Sequence, residues 1–134
     1  MTRKLTRVAL TALLIGGLSA GPALAGGSFS ITLNPQNADQ ENLMRAGLFA
    51  AAVANDLSKQ GGIKQNGFGN AAGILQNGIG NQGIVLQDGN GHNGTIQQHG
   101  NNHAYGLFQF GKNTNGHVVQ NGYGQTGTTF QFGW

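Results

Sequence analysis

Glutamine recurs at a single phase through the second half of the sequence: Gln65, Gln76, Gln87, Gln98, Gln109, Gln120 and Gln131, each 11 residues after the last, with no insertion. A glycine follows each of them two residues later, at Gly67, Gly78, Gly89, Gly100, Gly111, Gly122 and Gly133. A fixed short period without insertions is the mark of stacked units that bury their apolar faces against one another.

An 11-residue period also fits three turns of helix. Each period here carries two or three glycines and several asparagines, which are poor helix formers. Strand and turn fit better. Stepping back by two from each Gln meets Ile74, Val85, Ile96, Leu107, Val118 and Thr129. Two residues further lie Ala72, Gly83, Gly94, Tyr105, Gly116 and Gly127, and beyond them Asn70, Asn81, His92, His103, Thr114 and Gln125. This period-2 face predicts a strand of about seven residues. The other four residues form a turn, where the Gly after each Gln, and often a second at Gly69, Gly80, Gly91 or Gly124, supplies positive φ.

Two strands and two turns close one coil, and coils stacked at about 4.8 Å set each Gln above the Gln of the next. A buried amide must be paired, so the seven glutamines are expected to form inward ladders, with the aliphatic column filling a thin core. Gln65, Gln87, Gln109 and Gln131 fall on one sheet, and Gln76, Gln98 and Gln120 on the other. Tyr105 departs from the small column, which predicts a local bulge or an outward turn. The first sheet becomes aromatic outside, at Phe108, Phe110, Phe130 and Phe132. These four read as an interaction face for another subunit, filament or surface, or as a face over which the N-terminal segment folds.

At these residues the chain resembles the curlin family, the subunits of bacterial curli amyloid fibres. "QNGFGNAAGILQ" carries the family pattern at Gln65, Gly67, Asn70, Ala72 and Gln76, and the next unit keeps Gln76, Gly78, Asn81 and Gln87, with Gly83 for Ala. Later units keep Gln and Gly but carry His92, His103, Thr114 and Gln125 at the Asn position. The likeness covers about 63–134. It implies an all-β solenoid of 22-residue strand-turn-strand coils that adds end to end into an extracellular fibre. It also implies other curlin subunits as partners, and export through a dedicated outer-membrane pore with periplasmic chaperones.

The rest of the chain reads as two further segments. Residues 1–25 have a basic start, an apolar run from Val8 to Leu18 and Ala23-Leu24-Ala25 before Gly26, the pattern of a cleaved secretory signal peptide. Residues 26–60 read as a short strand, "SFSITL", a turn at Asn34-Pro35, and an amphipathic helix of about 20 residues. Asn37 with Gln40 suggests a capping box, Gly61 a stop, and Leu43, Gly47, Ala50, Val53, Ala54 and Leu57 the apolar stripe. The helix could cover the first open edge of the solenoid, serve secretion, or simply pack on the repeats. The repeat region is 61–134.

Composition narrows the function classes. Without the leader, Arg45, Lys59, Lys64 and Lys112 balance Asp39, Glu41, Asp56 and Asp88, a neutral chain with no electrostatic footprint for nucleic acid. There is no cysteine, hence no disulfide framework. No pair of carboxylates has a constrained spacing and no nucleophile stands beside a histidine in a known motif, so the chain is read as a non-enzyme without metal or cofactor. His92 and His103 invite a metal reading, but they replace Asn in a ladder and fit hydrogen bonding better. The reading is a secreted structural subunit of a functional amyloid at the cell surface. Its alternative is a soluble, monomeric β-solenoid that binds a surface. An outer-membrane β element is disfavoured, because lipid-facing strands are longer than these.

Overall fold

The computed structural model describes residues 26–55 and 62–134. The signal peptide expected over 1–25, and the helix end expected near Leu57 and Gly61, lie outside them. The described chain forms β1 (Ser28–Leu33), α1 (Ala38–Ala54), β2 (Ile63–Asn66), β3 (Ala71–Asn77), β4 (Gln82–Asn90), β5 (Asn93–Asn101), β6 (Ala104–Lys112), β7 (Asn115–Tyr123) and β8 (Thr126–Gly133). From β2 onward the strands alternate between two sheets, with orders β1-β8-β6-β4-β2 and β3-β5-β7. The fold is therefore a β-solenoid, with a short N-terminal strand and one helix added to it.

Every solenoid pair is parallel, and partners differ by one 22-residue coil, as in Gln87↔Gln109 and Gln98↔Gln120. This register follows from the sequence period: only a shift by a whole coil returns Gln to Gln and aliphatic to aliphatic. The complete strands run to nine residues, longer than expected, because the glycine after each Gln keeps pairing with the glycine of the next coil. The corner itself is very short. Gly67, Gly78, Gly89, Gly100, Gly111 and Gly122 all have positive φ, and so does the residue two further on. In four units that second residue is glycine. In the other two it is Asn102 (φ 59°) and Asn113 (φ 53°), asparagine being the side chain that best tolerates this conformation. Gly133 departs from the expected turn set. It has no positive φ and ends β8, where it pairs with Ser28 of β1.

Inside the coil, Val85, Ile96 and Leu107 are fully buried with Tyr105 against them. The expected bulge at Tyr105 does not occur. It pairs in register with Gly83 and Gly127, and the missing side chain of Gly127 makes room for the ring. A Cβ on Gly127 would stand 2.6 Å from Tyr105 Cε2. The phenol stays inward because its hydroxyl meets Thr129 Oγ1 at 2.7 Å.

Helix α1 starts at the expected cap, with Gln40 N donating to Asn37 Oδ1 at 2.9 Å. The reciprocal bond comes from Gln36 N to Gln40 Oε1, one residue before the cap. The expected apolar stripe is corrected. Leu43 (75% exposed) and Val53 (59%) face outward, whereas Leu48 is buried, flanked by Met44, Ala51 and Ala52. Small apolar residues surround most of this helix, so its polar side chains decide its rotation. Arg45 is ion-paired with Glu41 at 2.9 Å and donates to Asn102 O at 2.6 Å, and Thr126 Oγ1 donates to Glu41 at 3.3 Å. These contacts put Leu48 onto Ile84, Ala104 and Phe108, on the outer face of the larger sheet. The helix therefore covers no edge. Its seat is Gly106, where a Cβ would lie 2.5 Å from Leu48 Cδ2.

Candidate assembly interface

Two continuous side-chain ladders run along the solenoid. Gln65 Nε2 donates to Gln87 Oε1 (2.8 Å), Gln87 to Gln109 (2.8 Å) and Gln109 to Gln131 (2.7 Å). On the other sheet Gln76 donates to Gln98 and Gln98 to Gln120, both at 2.8 Å. Four of the seven amides also donate a hydrogen across the core, whereas Gln120 donates to Gln125 O at its own corner. Gln87 reaches Ala71 O, Gln98 reaches Gln82 O, Gln109 reaches Asn93 O and Gln131 reaches Asn115 O. The small column makes this crossing possible, since a Cβ on Gly94 would stand 2.6 Å from Gln109 Oε1. Among the described residues no buried side-chain nitrogen or oxygen lacks a partner. A ladder with both amide hydrogens used fixes register and inter-sheet spacing together.

The corner columns carry a second set of bonds. Asn70 Oδ1 accepts from His92 N, and Asn81 Oδ1 from His103 N, both at 3.0 Å. The histidines repeat the pattern one coil later. Gln125 N donates to His103 Nδ1 at 3.2 Å, and Thr114 Oγ1 lies 2.8 Å from His92 Nδ1. A backbone N–H can only donate, so His103 Nδ1 is an acceptor and the ring proton sits on Nε2, 3.1 Å from His99 O. His92 and His103 stand at different corners and stack on Thr114 and Gln125, not on each other.

The four phenylalanines do not form an open patch. Phe108 stacks on Phe130 at 5.0 Å and is 9% exposed, with α1 above it. Phe110 stacks on Phe132 at 5.3 Å, and Phe29 of β1 covers Phe132 at 5.0 Å. Of the two alternatives in the sequence, the N-terminal segment lies over this face.

The two ends of the solenoid differ. At the first end β2 and β3 each pair on one side alone among the described strands, with Gln65 and Gln76 exposed. At the other end β7 is an edge, but β8 is covered by β1, antiparallel, from Ser28↔Gly133 to Leu33↔Thr128. Sheet one thus runs two strands further than sheet two, through β8 and then β1. The step leaves a groove of about 810 Å³ between β1 and β7, lined by Ser30, Thr32, Val118, Gln120 and Gln131. Sequence reasoning missed this cap. The alternation of Phe29, Ile31 and Leu33 announced a strand, but nothing in it named β8 as the partner.

No family model, curated protein or solved structure matches the chain.

Proposed function

We propose that the chain is a secreted structural subunit that self-assembles by templated cross-β addition into extracellular, curli-like amyloid fibres of an adhesive or biofilm matrix. One observation carries this reading: the coil is a repeating layer whose Gln, aliphatic and corner columns lead straight to parallel edges at β2 and β3 that are unpaired among the described strands. An unpaired edge with such a register captures an incoming strand of the same sequence period. The ladders give direction to the stack, because every Nε2 donates toward the later coil. The resemblance to curlins at Gln65–Gln76 agrees with this reading, and with it go other curlin-type subunits, an export pore and periplasmic chaperones as partners.

The competing function is a soluble, monomeric surface-binding solenoid, which the pairing of β1 with β8 favours. Incubating the chain from Gly26 to Trp134 and recording thioflavin fluorescence and fibre diffraction decides between them. Fibres with a meridional spacing of about 4.8 Å are expected. A persistent monomer without cross-β reflections overturns the assembly reading.

A further inference from the structure

The strand over β8 is an imperfect neighbour. Everywhere else in the solenoid a strand is flanked by parallel strands one coil away, whereas β1 runs antiparallel. Its inward residues are small and polar: Ser30 stands opposite Gln131 and Thr32 opposite Thr129, with Thr32 Oγ1 2.9 Å from Thr129 Oγ1. No glutamine continues the ladder, no aliphatic side chain continues the core, and the 810 Å³ groove lies beside them. All six β1 residues remain exposed.

The start of the solenoid has what β1 lacks. In the register of β2 on β4, Ile63 aligns with Val85 and Gln65 with Gln87. The same register against β8 would place Ile63 of a second copy opposite Thr129, and its Gln65 opposite Gln131. The ladder ends are complementary. Gln131 Nε2 spends one hydrogen on Asn115 O and has a second to give, while Gln65 uses its amide to donate to Gln87. Beside this pair, β3 of the same second copy would align with the open edge of β7, setting its Gln76 against Gln120.

We propose that β1 is a displaceable cap on the growing end: it holds the β8 edge in the isolated chain and yields it to β2 of a second copy. This rests on the assembly reading above and adds its regulation. Addition begins along β7, where no strand has to move, and is completed when the incoming Ile63 and Gln65 replace Thr32 and Ser30. Every junction between copies needs one β8 edge, so every junction needs one β1 released.

A disulfide provides the test. Bonds from Gly27 N to Trp134 O and from Trp134 N to Gly27 O make that pair hydrogen-bonded, so alternation makes Thr32–Thr129 a non-hydrogen-bonded pair. Such pairs have Cα atoms about 4.5 Å apart, within the disulfide range. The chain has no cysteine, so Thr32→Cys with Thr129→Cys has one possible intramolecular pairing. Oxidised monomers offered to wild-type seeds are expected to elongate at least about tenfold more slowly than the same protein after reduction, because the edge stays occupied. In the opposite direction, Ile31→Pro removes a donor from the β1–β8 ladder and should shorten the lag about threefold or more. If wild-type fibres form and the oxidised variant elongates at the reduced rate, the cap is overturned while assembly stands. If the wild-type chain stays monomeric, Ile31→Pro decides: fibres from it alone support the cap, and a second monomer overturns both readings.

Discussion

Gln87 Nε2 donates to Gln109 Oε1 at 2.8 Å, and both side chains are fully buried. Gln109 in turn donates to Gln131, so removing its amide strips Gln87 of an acceptor and Gln131 of a donor. Gln109→Leu is expected to lower stability by about 2–4 kcal/mol, since each buried orphan costs about 1–3 kcal/mol. Gln65→Leu, at the exposed end of the same ladder, orphans one group, Gln87 Oε1, in place of two and should lose about 1–2 kcal/mol. Urea denaturation of both variants checks this, and equal losses would show that burial of the ladder is not what stabilises it.

Asn113 and Asn102 sit where four other units have glycine, both with φ in the left-handed region. Asn113→Gly should therefore leave stability within about 0.5 kcal/mol, whereas Asn113→Val should lose about 1–2 kcal/mol through the clash of a branched Cβ with backbone at positive φ. Thermal unfolding of the two variants distinguishes them. A Val variant as stable as the Gly variant would mean that the corner can be rebuilt.

Leu48 seats on Gly106, and the fit admits no extra carbon. Gly106→Ala would bring its Cβ to 2.5 Å from Leu48 Cδ2 and 2.7 Å from Phe108 Cε2. A loss of about 1–3 kcal/mol is expected from this overpacking. Leu48→Ala alone should lose about 2–5 kcal/mol, and the double variant clearly less than the sum of the two. Strict additivity in that cycle would argue against the contact.

His103 accepts from Gln125 N and faces His99 O through Nε2. The Nε2–H tautomer is the expected state, visible in the ¹⁵N shifts of the ring. His103→Asn should keep most of the stability, because Asn81 serves the same corner one coil earlier through Oδ1 to His103 N and Nδ2 to Gly100 O. His103→Leu leaves the Gln125 N–H without its partner and should lose about 1–3 kcal/mol. A Leu variant as stable as the Asn variant would refute the role.

Which residues face inward was legible in the sequence because a solenoid is nearly one-dimensional. The 11-residue period sorts Gln, Val85, Ile96 and Leu107 inward before any long-range contact is known, and stacking by one coil only repeats that choice. Even the left-handed corners were readable: Asn102 and Asn113 occupy the phase of Gly69, Gly80, Gly91 and Gly124, a signal that counting glycines alone passes over.

What precedes the repeat has no period to place it, and there the tertiary structure decided. The rotation of α1 was set by Arg45 reaching Asn102 O and by Glu41 meeting Thr126, contacts between residues far apart in sequence, and these outweighed an apolar stripe that small residues had blurred. Tyr105 stays inward only because Gly127 leaves room for its ring one coil later and Thr129 meets its hydroxyl. That β1 lies on β8 is likewise a long-range pairing. A short alternating strand can add to any free edge, and its partner was chosen by the stacking of Phe29 on Phe132 and the meeting of Thr32 with Thr129, both available only once the last coil is in place.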